Sequence, residues 1–303
     1  MDPTDSLSYK SDTSVLFIRE AARRGHTAYY CSKTGIRLKN GSISFTTQRI
    51  HCEDTPFRLD APCELPDSEI DAVFIRTDPP FDDTYLLHTW LLDHLDPKVF
   101  VMNSPAGIRQ VNEKLWATQF QSITPDTLVT SDRGDIESFL DTHQRIILKP
   151  INGYGGQSIF KVSKGDDNTA VIIETMTQNG CRACIAQAYI PAAEKGDKRI
   201  LMLNAEPLGA LLRVHSSEDF RNNFYSGGRA EKTKITESDL KILDALAPHL
   251  KALGLYFVGV DILGEYLVEV NVTSPTCLQE MNQLYGTNLE KKVLQFVESH
   301  CKT

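Results

Sequence analysis

Near the C-terminal end, two apolar segments are separated only by Gly264-Glu265. A two-residue link joins antiparallel neighbours and cannot serve a parallel crossover. Residues 257–263 (FVGVDIL) and 266–271 (YLVEVN) therefore form one hairpin, and their Val/Ile/Leu content marks strands buried on both faces. Asp261, Glu269 and Asn271 interrupt this apolar pattern with equal parity, which places all three on one face. Buried carboxylates are unfavourable unless paired or metal-bound. Hard oxygen donors suit Mg²⁺, with Mn²⁺ as the alternative ion.

The rest of the chain alternates strand-like and helix-like patterns, the mark of an α/β protein. At roughly 100–200 residues per domain, 303 residues make two or three domains. A first unit over 1–110 starts with a polar stretch and a helix over 14–24, stopped by Gly25. A short strand at 27–31 and short strands over 35–57, turning at 39–41, come next. Strands at 72–76 and 99–103 enclose a helix over 84–94. A second unit, 111–190, has helices over 111–121 and 136–143 and strands at 145–150, 159–162 and 183–190. The third, 191–303, has a hairpin turning at 204–207, a polar loop over 215–234, a helix over 237–253, the carboxylate-bearing hairpin and a last helix over 289–299.

Composition excludes several function classes. Lys and Arg number 32 against 40 Asp and Glu, a net charge of −8 without a long basic run, so nucleic acid is a poor partner. No segment approaches the roughly 18 apolar residues of a membrane span. Residues 1–6 lack a basic flank and an apolar core, so no secretory signal is expected. Seven scattered cysteines, an odd number, fit reduced thiols in the cytoplasm. Cys181-x-x-Cys184 has no second pair at ligand spacing and is set aside as a metal motif.

Residues 152–158 (NGYGGQS) lie between two strand patterns. They match neither Gly-x4-Gly-Lys-[Ser/Thr] nor Gly-x-Gly-x-x-Gly opening a helix, and so form a hairpin tip. Such a tip is a common flexible loop; it also lets backbone N–H groups approach phosphate unobstructed. Lys149 ends the strand entering the tip and Lys114 precedes it, two cations suited to a triphosphate. Lys198, Arg199, Arg213, Arg221 and Arg229 enrich the last third in positive charge and point to an anionic substrate. No Gly-x-Ser-x-Gly elbow or His-Glu-x-x-His occurs, so no covalent nucleophile is expected.

In order, Asn112-Glu113-Lys114, Ile147-Leu148-Lys149-Pro150, Gly153-Tyr154-Gly155-Gly156, Asp197-Lys198-Arg199, Gly227-Gly228-Arg229, Asp261, Glu269-Val270-Asn271 and Ser274-Pro275-Thr276 resemble the ATP-grasp ligases. The loop at 76–82 and Asn103-Ser104-Pro105 bring the chain closest to the bacterial-type glutathione synthetases, over essentially its whole length. The resemblance implies an ATP-grasp fold: an N-terminal doubly wound α/β domain, a central α+β lid domain and a C-terminal catalytic α+β domain. It implies Lys114 and Lys149 on ATP phosphates, Gly153, Tyr154, Gly155, Gly156, Gln157 and Ser158 as a lid, and Gln187, Ala188, Tyr189 and Ile190 around adenine. Asp197 would meet the ribose. Asp261, Glu269 and Asn271 would hold Mg²⁺. Arg199, Arg213 and Arg229 would stabilise the transferring phosphate and substrate carboxylate. Asp78 would serve the substrate, and Asn271, Ser274 and Thr276 would lie near the incoming amine.

Two features depart from that pattern. The family's first apolar strand, expected before Asp2-Pro3, is missing, which reads as a late start or a truncation. Tyr154 and Gln157 stand where relatives often carry Met and Ala. The implied reaction joins γ-glutamylcysteine and glycine using ATP, through an acyl phosphate, in a cytoplasmic homo-oligomer, a tetramer by resemblance. Another ATP-grasp carboxylate–amine ligase, of peptide or D-alanine type, and a non-catalytic ATP-binding protein remain as alternatives.

Overall fold

The computed structural model describes residues 1–215 and 227–301. Helix α1 (Thr13–Arg23) starts at Asp12, whose carboxylate accepts from the Ser14 N–H as an N-cap. Strands β1 (Tyr29–Lys39) and β2 (Ser42–His51) form one long hairpin turning at Asn40-Gly41. Both turn residues have positive φ, 52° and 85°, as a tight hairpin turn requires. The short strands expected here are thus two long ones, because alternation carries Ile43 and Phe45 into the core beside Leu92. Strands β3 (Arg58–Leu59) and β4 (Cys63–Pro66) flank β2. Strand β5 (Ala72–Phe74), helix α2 (Asp83–Leu92) and the parallel strand β6 (Phe100–Met102) supply the crossover unit of this first region, and α3 (Pro105–Gln110) follows.

A four-stranded antiparallel sheet comes next. It comprises β7 (Thr127–Thr130), helix α4 (Arg133–His143), β8 (Arg145–Pro150), β9 (Phe160–Ser163), helix α5 (Thr169–Thr177) and β10 (Cys184–Ala188), in strand order β7-β10-β8-β9. Ile136, Leu140, Ile173 and Met176 of the helices pack on Ile146, Leu148, Val162 and Ala186. Strand β7 and helices α3 and α5 have no counterpart in the sequence reading.

The last sheet contains β11 (Asp197–Leu203), β12 (Glu206–Val214), β13 (Arg229–Glu231), β14 (Phe257–Leu263) and β15 (Tyr266–Asn271). Its order is β13-β12-β11-β14-β15, antiparallel throughout. Helix α6 (Glu237–Ala252) precedes β14, while α7 (Leu278–Tyr285) and α8 (Glu290–His300) follow β15. One sheet face, with Ile200, Met202, Val258 and Val260, packs on Leu243, Leu246 and Leu250 of α6 and on Ile108 and Trp116. The other, with Leu201, Leu211 and Phe257, packs on Leu278, Met281, Val293 and Phe17. Burial on both sides explains the apolar character of β14 apart from Asp261.

The helix expected over 111–121 does not form. The Asn112 side chain accepts from the Lys114 and Leu115 N–H groups, and the Glu113 carbonyl accepts from the Val270 N–H. Asn112 thus caps the start of a helical turn, but the Glu113 carbonyl is spent on Val270 and only a short 3₁₀ turn follows at Trp116–Gln119. Residues 113–123 instead run beside β15, where the Ile123 carbonyl accepts from the Leu267 N–H. Among the described residues no helix is long and apolar enough to cross a membrane.

Candidate active site

The strand registers build the site. Asp197 on β11 stands directly opposite Arg213 on β12, Arg199 on β11 opposite Asp261 on β14, and Asp261 opposite Glu269 on β15. Asp197 and Arg199 are two residues apart and share a face. One sheet face thus carries a row in which charge alternates from Arg213 to Asp261 and ends on two facing acids, Asp261 and Glu269.

Geometry makes the row a network. Arg199 binds Asp261 in bidentate fashion, with Nη2 at 2.7 Å from Oδ2 and Nε on Oδ1. Arg213 donates Nε to Asp197 Oδ1 at 3.0 Å and Nη2 to Asp261 Oδ2 at 2.9 Å, and also reaches Asp197 Oδ2. Asn271 Nδ2 lies 3.3 Å from the same Asp261 oxygen. Asp197, Arg199, Arg213 and Asp261 are all buried. Burial by itself pushes Asp261 up, but Arg199 and Arg213 outweigh it and hold the carboxyl at about 2. For Asp197, burial wins over Arg213 and the shift is upward.

The convergence of Asp261, Glu269 and Asn271 does not come from the plain hairpin register. Leu263 pairs with Tyr266 and Ile262 with Leu267, a register that would set Asp261 against Val268 and turn Glu269 to the opposite face. The pairing shifts by one residue between Asp261 and Ile262. This bulge at Val268 brings Glu269 across from Asp261 and Asn271 across from Gly259.

Two lysines face this row. Lys114 Nζ donates to Glu269 Oε1 at 2.9 Å and to the Gly153 carbonyl, so it ties the glycine loop to β15. Burial opposes its charge, but Glu269 prevails and the shift is upward. Lys149, at the end of β8, is buried with its Nζ 3.0 Å from Gln187 Oε1. Burial lowers it to about 8 against the pull of Glu269. Between β8 and β9 the glycine loop turns through Gly155 and Gly156 at φ 60° and 74°, which favours residues without Cβ. A Cβ at Gly153 would lie 2.5 Å from Pro150 Cγ.

These groups line one cleft of about 410 Å³ between the two sheets. Lys114, Lys149, Tyr154, Gly155, Gly156, Gln187, Ala188, Tyr189, Ile190, Asp197, Arg199, Arg213, Asp261, Glu269 and Asn271 border it, together with Asp78, Ser274 and Thr276. Gly153 touches the cleft only through Lys114 and itself borders a smaller adjoining cavity of about 90 Å³. Gln157 and Ser158 belong to the glycine loop but do not line the cleft. Arg229 is not brought to it: the side chain is 71 % exposed at the start of β13 and pairs with Glu231 at 2.8 Å. Arg221 lies outside the described residues. Gln187 turns its side chain towards Lys149, while Ala188 and Tyr189 spend their N–H groups on the Asp126 and Arg145 carbonyls.

Sequence reasoning missed three supporting side chains. Glu113 Oε1 accepts from the Val272 N–H (2.9 Å), the Thr273 N–H (3.1 Å) and the Thr273 hydroxyl (2.9 Å), fixing the chain just beyond Asn271. Buried Arg76 donates to Ser14 Oγ and to the Pro275 carbonyl, at 3.1 and 3.0 Å. Buried Asn103 donates to the Phe257 and Val272 carbonyls and accepts from the Tyr256 and Phe257 N–H groups. All three stand in runs that carried the resemblance, but each has a partner some 150–200 residues away.

Asp261, Glu269 and Asn271 border one cleft beside two lysines and supply oxygen donors of the type a hard divalent cation takes, with both Asp261 oxygens also held by Arg199 and Arg213. Among the described residues no cluster of three or more His, Cys, Asp or Glu could hold a metal, so the set depends on Asn271 as its third donor.

Comparison with known proteins covers almost the whole chain. Residues 1–109 match the family model for the prokaryotic glutathione synthetase N-terminal domain, and residues 113–286 that for its ATP-grasp domain. Glutathione synthetase of Escherichia coli strain K12 is 38 % identical over 304 residues, covering 99 % of this chain and 96 % of the relative. That of Vibrio cholerae is 39 % identical, covering 100 % and 96 %. Among solved structures, a D-cycloserine synthetase superposes with a TM-score of 0.66 at 12 % identity, covering 93 % of each chain. The D-alanine–D-alanine ligase of Bacillus anthracis superposes with 0.55 at 16 % identity, covering 77 % of this chain and 80 % of that one. With its sheets, cleft and glycine loop arranged as described, the chain has the ATP-grasp fold and belongs to the prokaryotic glutathione synthetase family.

Proposed function

We propose that this protein joins γ-glutamylcysteine and glycine into glutathione, with conversion of ATP to ADP and phosphate. The observation that carries the reading is the single cleft in which Lys114 and Lys149 face the Asp261–Glu269–Asn271 set beneath a glycine hairpin.

The chemical obstacle is a carboxylate, which resists attack by an amine. Transfer of the γ-phosphoryl group of ATP to the cysteinyl carboxylate gives an acyl phosphate and ADP. The glycine amine then attacks the acyl carbon, phosphate leaves, and the amine loses a proton as the amide forms. Catalysis here is positioning and charge stabilisation. Lys114 and Lys149 bring positive charge to the phosphates, and Arg199 and Arg213, held in place by Asp197 and Asp261, would stabilise the transferring phosphate and the substrate carboxylate. Mg²⁺, with Mn²⁺ as the alternative, would be held by Asp261, Glu269 and Asn271, and would neutralise phosphate charge when bound. Gly153, Tyr154, Gly155, Gly156, Gln157 and Ser158 would cover the nucleotide and exclude water that would hydrolyse the acyl phosphate. Ala188, Tyr189 and Ile190 border the adenine side. Asp78, Ser274 and Thr276 border the acid and amine substrates. Asp197 holds Arg213 through both its oxygens, which supports a positioning role more than a ribose contact.

A cytoplasmic location and a homotetramer belong to the same reading; seven free cysteines support the former. The test is ADP release from purified protein. Turnover is expected with γ-glutamylcysteine and glycine. Turnover only with paired D-alanine, or nucleotide binding without ADP formation under any acid–amine pair, overturns the assignment.

A further inference from the structure

Outside the cleft wall, one hydroxyl has a partner set that fixes the polarity of a hydrogen-bond chain leading to Lys149. Thr127 on β7 stands directly opposite Gln187 on β10. On the other side of β10, Ile185 pairs with Lys149, so Gln187 and Lys149 are diagonal neighbours on one face. Thr127 Oγ1 donates to the Pro125 carbonyl at 2.8 Å. A hydroxyl has one proton, so this oxygen can only accept from Gln187. Gln187 Nε2 donates to it at 2.8 Å, and the amide carbonyl must then face the other way, where Lys149 Nζ donates to Oε1 at 3.0 Å. An ammonium has three donors and no acceptor; the reverse amide orientation would set NH₂ against NH₃⁺. Gln187 and Lys149 are both buried, so water does not readily replace the bond between them; Thr127 is half-buried.

We propose that Thr127 is a positioning residue for nucleotide binding: through Gln187 it sets which end of the amide meets Lys149, and so holds the lysine aimed at the phosphates. The inference rests on the ligase reading above, in which Lys149 meets ATP. Specificity of the effect follows from the chain's geometry. It ends on the nucleotide side of the cleft and touches neither the acid nor the amine.

The test uses Thr127→Val, which keeps the shape and removes the hydroxyl, and Thr127→Ser, which restores it. Binding of ADP with magnesium is measured by calorimetry, and KM for ATP, KM for glycine and kcat by ADP release. The loss of one buried hydrogen bond corresponds to about three- to tenfold in affinity. Thr127→Val is expected to weaken ADP binding and raise KM for ATP by about that factor, with KM for glycine within about twofold and a melting temperature lowered by no more than a few degrees, the cost of the unpaired Gln187 N–H. Thr127→Ser is expected to restore both nucleotide values. Unchanged ADP affinity in Thr127→Val, a Thr127→Ser variant as impaired as the valine, or parallel losses for every substrate overturn the proposal. Wild-type protein that binds no ADP would instead refute the ligase reading itself.

Discussion

Replacing Glu113 separates what an acceptor does from what a charge does. Its Oε1 receives two backbone N–H groups, from Val272 and Thr273, and the Thr273 hydroxyl. In Glu113→Ala the hydroxyl can turn elsewhere, but the two N–H groups cannot. Each buried donor left without a partner costs about 1–3 kcal/mol, or about 2–4 kcal/mol together after some relaxation. Part is returned, because burial and the nearby Glu269 already push the Glu113 carboxyl up and disfavour its charge. A net loss of about 2–3 kcal/mol lowers the melting temperature of a 303-residue chain by about 3–5 °C. The freed segment carries Ser274 and Thr276, and a displacement of about 1 Å costs on the order of 10²-fold in kcat/KM. In Glu113→Gln the amide oxygen accepts the same three bonds and the repulsion with Glu269 disappears, so melting is expected at or above the wild-type value. Thermal unfolding and ADP-release kinetics on both variants decide the matter. An alanine variant with unchanged melting and kcat/KM, or a glutamine variant as damaged as the alanine, refutes the reasoning.

Asp261, held at about 2 by Arg199 and Arg213, contributes stability that is fully present above the ordinary carboxylate range and lost as pH falls through about 2. Asp261→Asn should remove this acid dependence and destabilise by about 3–5 kcal/mol, read from denaturant unfolding across pH, since two buried guanidiniums lose a partner. Lys149, lowered to about 8, binds fewer protons folded than unfolded between there and its ordinary value, so its own contribution to stability rises with pH in that window. Phosphates favour the ammonium, so nucleotide binding near pH 8 should take up a proton. Calorimetry in two buffers of different ionisation enthalpy checks this, and wild-type uptake that survives in Lys149→Met would rule it out. Glu269→Gln should weaken Mg²⁺-dependent turnover at least about tenfold while thermal melting stays within a few degrees; an unchanged Mg²⁺ titration would count against its place in the donor set.

Much of the fold was legible because local physics fixed it. Gly264-Glu265 dictated a hairpin, apolar runs marked strands covered on both faces, and the glycine run between strand patterns marked a hairpin tip. Many residues that line the cleft could be named for the same reason: lysines at strand ends and acids within apolar strands stand out from their neighbours. The failures came where distant partners override local preference. The helix expected over 111–121 gave way to backbone bonds with Val270, and Arg229, typical of an anion-binding residue by type, pairs with Glu231 in solvent.

The chemistry of the donor set was set by the sequence alone: two carboxylates and an amide at 261, 269 and 271 are composition, independent of folding. Their meeting was not. A regular hairpin closed by Gly264-Glu265 would have left Glu269 on the far face, and parity counting reaches the right grouping only because a bulge at Val268 shifts the register by one residue. Side-chain alternation has period two, so a single extra residue reverses every later side chain. That residue is accommodated beside the irregular segment packed along β15, where Val270 donates to the Glu113 carbonyl, more than 150 residues earlier in the chain.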